Sequence, residues 1–177
     1  MATNTIKMPQ NIEIKAKCSE SKQIHQILAE NKADFIGLDH QIDTYFKVPN
    51  GRLKLRQGNI ENHLIYYNRP NQAGPKKSEV LLYSVEKESN LKDVLTTALG
   101  EKVVVDKKRY IYFIDNVKFH VDEVKGLGNF IEIEAIDKDG NISLNTLKEQ
   151  CNFYMELFGI AQKDLIEVSY SDLILGM

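Results

Sequence analysis

The feature that most restricts how this 177-residue chain can fold is a two-residue alternation of apolar and charged side chains, repeated in several short stretches. In "NIEIKAK", Ile12 and Ile14 fall on one face and Glu13 and Lys15 on the other. "GRLKLR" sets Leu53 and Leu55 against Arg52, Lys54 and Arg56, and "FIEIEA" sets Ile131 and Ile133 against Glu132 and Glu134. A period of two is strand geometry, because successive side chains leave opposite faces of an extended chain. Asn50-Gly51 separates "DTYFKV" from "RLKLR", and Asp115-Asn116 separates "RYIYFI" from "VKFHVDEV". Both are dipeptides that two-residue hairpin turns prefer. With "NHLIYYNRP" and "SEVLLYSVE" the strand candidates number eight, and short turns between them require antiparallel pairing.

Four segments carry the helical period instead. Leu91, Val94, Leu95, Ala98 and Leu99 recur on one face, with Ser89 and Asn90 as capping residues before them and Gly100 after. A second helix is expected from about Ser143 to Phe158, with Leu144, Leu147, Cys151 and Met155 inward and Gly159 at its end. A third follows Ser19 with Ile24, Ile27 and Leu28 inward, and a short one closes the chain around Ser171 to Leu175. The order is strand, helix, four strands, helix, three strands, helix, which has the look of two related halves. No linker divides it, so one α+β domain is expected over 1–177, with its core at about 11–175 and "NQAGPKKS" as an exposed loop.

Apolar residues make up 42% of the chain, enough for a core. The formal net charge of -2 argues against a nucleic-acid or membrane-surface partner, so any anion site has to be local. No run approaches a membrane span, and polar Thr3, Asn4 and Thr5 stand where a secretory signal would be apolar, which points to a cytoplasmic protein. Cys18 and Cys151 match no metal or redox spacing and read as packing residues.

The charges are sorted by strand. "GRLKLR" presents three basic residues to one side and "FIEIEA" two acidic ones. In "VKFHVDEV" His120 and Asp122 share the charged side, and in "VVVDKKRYIYF" either Lys107 with Arg109 or Lys108 does so. A solvated outer face would also alternate, but it would more often mix signs across neighbouring strands. If the sheet curls into a barrel with helices outside, basic and acidic strands confront each other across an interior. A polyphosphate with its divalent ion meets both demands: arginine forks match phosphate oxygens, and hard cations take carboxylate oxygens.

These residues are where the chain resembles the CYTH family, the triphosphate tunnel enzymes that include class IV adenylyl cyclases and thiamine triphosphatases. The resemblance runs from about Asn11 to Leu175. The family's Glu-x-Glu-x-Lys is matched by Asn11, Glu13 and Lys15, with Asn in place of the first Glu. It continues through "DTYF", "GRLKLR", Lys107-x-Arg109, Glu132-x-Glu134 and "SYSDLIL". "GRLKLR", "LIYYNRP", "GPKKS" and "VKGLGNFIEIE" look most like the class IV adenylyl cyclase branch; family triphosphatases more often carry Lys where Asn68 stands.

The resemblance implies an eight-stranded antiparallel tunnel with helices packed outside. By it, Arg52, Lys54, Arg56, Arg69, Lys76, Lys107 and Arg109 would hold a triphosphate, and Glu13, Asp122, Glu132 and Glu134 one or two magnesium or manganese ions. Lys15, between the two groups, joins Arg56 and Arg109 as a catalytic candidate. The implied activity is conversion of ATP to cyclic AMP and pyrophosphate. The alternatives are a triphosphatase for inorganic, nucleoside or thiamine triphosphate, and a polyphosphate or nucleotide binder without turnover. Asn11 brings no negative charge, which should weaken metal binding. His120 reads as a hydrogen-bonded partner of Asp122, one of Tyr66 and Tyr67 is free to stack on a base, and homodimerisation is left open.

Overall fold

The computed structural model describes residues 10–68, 76–77 and 79–177. Nine strands form one sheet: β1 (Gln10–Lys17), β2 (Asp34–Phe46), β3 (Arg52–Gln57), β4 (Asn62–Asn68), β5 (Lys76–Lys77), β6 (Glu79–Ser84), β7 (Glu101–Ile114), β8 (Val117–Val124) and β9 (Gly128–Asp137). Their spatial order is β5-β1-β9-β8-β7-β2-β3-β4-β6, and every pairing is antiparallel. The two edge strands, β5 and β6, are separated in sequence by residue 78 alone. Two residue steps reach only about 7 Å, so the sheet curls until its edges come together there. With β5 and β6 counted as one strand, the eight expected strands form a curled antiparallel sheet with helices outside.

The helices are α1 (Ser21–Glu30), α2 (Leu91–Leu99), α3 (Leu144–Leu157) and α4 (Tyr170–Leu175). Ser143 starts α3 by accepting the Thr146 backbone N–H at 3.1 Å. At α4 a capping box joins Ser169 and Asp172. The apolar alternate residues of the strands face outward: Ile12, Ile14, Phe119, Val121, Ile131 and Ile133 are buried against Ile24 and Leu28 of α1 and Leu147 and Cys151 of α3. Both cysteines are buried and unbridged, as packing residues. Charged alternate residues are thereby left on the concave face. A second apolar cluster, including Val105, Val124, Phe130 and Tyr170, anchors α4.

Three expectations need correction. The connection at Asn50-Gly51 is no two-residue turn, because β2 stops at Phe46 and residues 47–51 join it to β3. Pro49 lies in this connection and has no N–H for a ladder. Asp115 and Asn116 do form the expected tight turn, with Ile114 opposite Val117 and Asp115 at φ 51°. The stretch read as a loop contributes β5, whose Lys76 and Lys77 pair with Glu13 and Ile12. Finally, α2 forms as expected but buries none of its residues.

Candidate functional site

Inward side chains from β1, β3, β4, β6, β7, β8 and β9, with Tyr45 of β2, surround a cavity of about 640 Å³. Its cations are Lys15, Lys54, Arg56, Lys107, Arg109, Lys118 and Lys138, and its carboxylates Glu13, Glu61, Glu132 and Glu134. Ile65, Tyr67, Val80 and Leu82 make an apolar wall on β4 and β6. Strand register explains the grouping: Arg56 lies opposite His63 and Lys54 opposite Ile65, while Lys15 faces Glu132 and Glu13 faces Glu134.

The opposed charges neutralise one another. The Asp43 carboxylate accepts from Lys107 Nζ at 2.7 Å, Lys54 Nζ at 2.9 Å, and Arg56 Nε and Nη2 at 2.9 and 3.0 Å. Arg109 grips Asp122 with Nε at 2.7 Å and Nη2 at 2.6 Å, and Nη2 also donates to Glu132 at 2.9 Å. Lys15 Nζ lies 3.1 Å from the other Glu132 oxygen and 4.0 Å from the centre of the Tyr170 ring. Glu61 accepts from Arg56 Nη1 at 3.0 Å and Lys118 Nζ at 2.5 Å. Such pairing offsets the desolvation that bare charges would suffer at these depths.

Ionisation follows the pairing. Burial pushes the Asp43 carboxyl up, but the charges of Arg56, Lys107 and Lys54 override it and hold the group well below the usual carboxylate range. At Glu132 burial is likewise overridden by Arg109, Lys15 and the His120 hydrogen bond. Lys107 goes the other way: burial lowers its ammonium to about 7, with Asp43 opposing the fall and Arg56, Arg109 and Lys54 adding to it. His120 is also lowered, first by burial and then by Arg109.

Of the residues singled out in the sequence, Glu13, Lys15, Lys54, Arg56, Lys107, Arg109, Glu132 and Glu134 meet round this one cavity. Lys107 and Arg109 take the inward side, whereas Lys108 is exposed beside Glu123. Asp122 does not reach the wall: it is 1% exposed, with its oxygens taken by Arg109 and by the Tyr170 hydroxyl at 2.8 Å. Arg52 is drawn to Asp172 at 2.8 Å and lines a separate cavity of about 310 Å³ with Lys47 and Lys102. Arg69 and the Lys76 side chain lie outside the described residues. His120 partners Glu132 at 3.1 Å, not Asp122, because residues two apart on a strand lean side by side while Glu132 stands directly across. Tyr67 is the inward tyrosine of its pair.

Four charged residues escaped the sequence reading. Lys118 follows from the alternation in "VKFHVDEV", which puts it on the side of His120 and Asp122. Asp43 carries the same signal, two residues before inward Tyr45. Glu61 precedes β4 and Lys138 follows β9, where no strand period marks them.

The donor set on β1 and β9 suits a hard divalent cation. Glu13 and Glu134 are cross-strand partners, Asn11 Nδ2 donates to Glu134, and the buried Asn11 Oδ1 has no partner among the described residues. No three His, Cys, Asp or Glu among the described residues converge as a cage. Magnesium typically takes one or two carboxylates and completes its shell with water and substrate phosphates, so this set fits.

A curled antiparallel sheet thus gathers opposed cations and carboxylates round one cavity, the arrangement expected of a triphosphate tunnel. The CYTH domain model matches residues 9–170, and the chain belongs to the CYTH domain family. It is 26% identical over 172 residues to a protein of Methanocaldococcus jannaschii named a putative adenylate cyclase, covering 92% of this chain and 97% of that one. A Pyrococcus horikoshii structure shares the fold with a TM-score of 0.77 at 23% identity, over 92% of this chain and 98% of that one. A Hippeastrum structure, described as a putative adenylyl cyclase with a dominant triphosphatase activity, has a TM-score of 0.59 at 14% identity, over 95% of this chain and 94% of that one.

Proposed function

We propose that this chain is a metal-dependent enzyme acting on a nucleoside triphosphate, an adenylyl cyclase that forms cyclic AMP and pyrophosphate from ATP. The observation that carries the reading is the placement of five cations, Lys15, Lys54, Arg56, Lys107 and Arg109, beside an apolar wall of Ile65, Val80 and Leu82 in a single cavity. The cations suit phosphate oxygens, and the wall suits a base or another apolar group beyond them. Inorganic triphosphate would leave that wall unused. The name of the Methanocaldococcus relative agrees with the cyclase reading.

In this reading Arg56, Lys54 and Lys107 grip the phosphates from β3 and β7, while Arg109 and Lys15 approach from β7 and β1. Glu13 and Glu134, with the Asn11 amide oxygen, would hold the divalent ion. When bound, such an ion neutralises phosphate charge and acidifies a coordinated hydroxyl. The ribose 3′-oxygen attacks the α-phosphorus, the bond to the bridging oxygen breaks, and the hydroxyl proton ends on the departing pyrophosphate or in solvent. Arg56 and Arg109 stabilise charge that develops on the leaving group. Neighbouring carboxylates fix both guanidinium groups beforehand, so little reorganisation is needed at the moment of reaction.

Hydrolysis is the second reading, favoured by the Hippeastrum relative, in which an adenylyl cyclase name accompanies a dominant triphosphatase activity. The same cations would serve, with water attacking the terminal phosphorus. Purified protein incubated with magnesium or manganese and, separately, ATP, inorganic triphosphate and thiamine triphosphate distinguishes the two. Cyclic AMP with pyrophosphate is expected. Orthophosphate without cyclic AMP would transfer the protein to the triphosphatases.

A further inference from the structure

We propose that Asp43 is a positioning residue: a sealed counter-ion behind the phosphate-binding wall that orients Lys54, Arg56 and Lys107 toward the substrate. The proposal rests on the triphosphate reading above and adds to it a residue that never touches the ligand.

Geometry carries it. Lys54, Arg56 and Lys107 line the cavity; Asp43, at 1% exposed, does not. Its two oxygens accept four hydrogen bonds of 2.7 to 3.0 Å from these three side chains, which come from β3 and β7. The carboxylate thus sits on the wall side of the cations and does not compete for the cavity. Arg56 shows the consequence. Nε and Nη2 are engaged by Asp43 and Nη1 by Glu61, so the guanidinium plane is fixed at two edges before any ligand arrives. Asp122 stands in the same relation to Arg109 on the neighbouring wall.

Charge argues the same way. Three cations packed in a buried wall repel one another and lose hydration, and one carboxylate among them reduces both costs. The charged groups facing Asp43 and Lys107 are Lys54 and Arg56 on β3, Arg109 on β7 and, more weakly, Asp122 on β8, with the Tyr45 hydroxyl on β2. Of the four charges that weigh most on Lys107, Asp43 is negative and Arg56, Arg109 and Lys54 are positive. Without Asp43, Lys107 would therefore lose its proton at a lower pH and deliver no charge to a phosphate near neutrality.

The test is binding of inorganic triphosphate, followed calorimetrically between pH 6 and pH 8. Wild type, Asp43→Asn and the double variant Asp43→Asn/Lys107→Arg are compared. Asp43→Asn is expected to bind at least about tenfold more weakly at pH 6, where wild-type Lys107 is charged, as for loss of one charge-assisted contact, and the gap is expected to narrow toward pH 8, where Lys107 is neutral in both. Arginine does not titrate in this range, so the double variant is expected to regain binding at pH 6 and to keep it at pH 8. Wild-type affinity and pH dependence in Asp43→Asn would overturn the proposal while leaving the triphosphate reading standing. No binding by wild type would overturn both.

If Asp43→Asn does not fold, Lys107→Met is compared with Asp43→Asn/Lys107→Met, which removes one buried charge of each sign. Asp43 still has Lys54 and Arg56 to orient, so the double variant is expected to bind about fivefold more weakly than Lys107→Met. Equal affinity would overturn the proposal.

Discussion

At the scale of single residues, the site is a set of charges whose partners fix both their orientation and their protonation. Lys107 is the sensitive member. Its ammonium, lowered to about 7 mainly by burial, is charged below that pH and neutral above it. Triphosphate affinity of the wild type is therefore expected to fall as pH rises through about 7, and the loss should disappear in Lys107→Met; calorimetry at several pH values checks this. Tyr170 is the second case. Its hydroxyl donates to Asp122 at 2.8 Å in a fully buried setting. Tyr170→Phe should cost about 1 kcal/mol of stability in urea denaturation, the ordinary net worth of such a bond, since Arg109 still satisfies the carboxylate. The side of each strand that bears charge was legible because alternation is a local property. Which charge pairs with which was not: His120 finds Glu132 and Arg52 finds Asp172, 120 positions away, through strand register and helix placement.

At the scale of elements, helices hold the outer face of the sheet so that its inner face can be polar. Leu147 of α3 is fully buried among Ile12, Ile133 and neighbouring side chains. Leu147→Ala should cost about 2–5 kcal/mol, measured as a lowered denaturation midpoint, because the rigid sheet beneath cannot collapse into the space. By contrast α2 buries nothing, and Val94→Ala, at a residue 53% exposed, should change stability by less than about 0.5 kcal/mol. The sequence showed that α2 would form but not that its apolar stripe would be only partly covered, with Leu91, Leu95 and Leu99 half-buried and Val94 and Ala98 exposed, since periodicity reports a face and not what lies against it. The Asp115-Asn116 turn was readable from its dipeptide; at Asn50-Gly51 a nearby proline moved the strand end and lengthened the connection.

At the scale of the whole molecule, sheet curvature turns an alternation written along each strand into a cavity with acids on β1 and β9, bases on β3 and β7, and an apolar wall on β4 and β6. No helix among the described residues is long and apolar enough to cross a membrane. Stability should depend on the same charges. Asp43, Glu132 and Glu61 have folded-state acidities below the ordinary carboxylate value, so the stability they supply is present above that value and is lost as pH falls through their folded range. Acid unfolding followed by circular dichroism should accordingly begin below about pH 4. The most direct test of the central claim is a crystal structure with the non-cyclising analogue adenosine 5′-(α,β-methylene)triphosphate and magnesium. The triphosphate is predicted to lie between Arg56 with Lys107 and Arg109 with Lys15, with the nucleoside along Ile65, Val80 and Leu82. An analogue seated instead beside Lys47, Arg52 and Lys102, with the larger cavity holding no phosphate, would contradict the account.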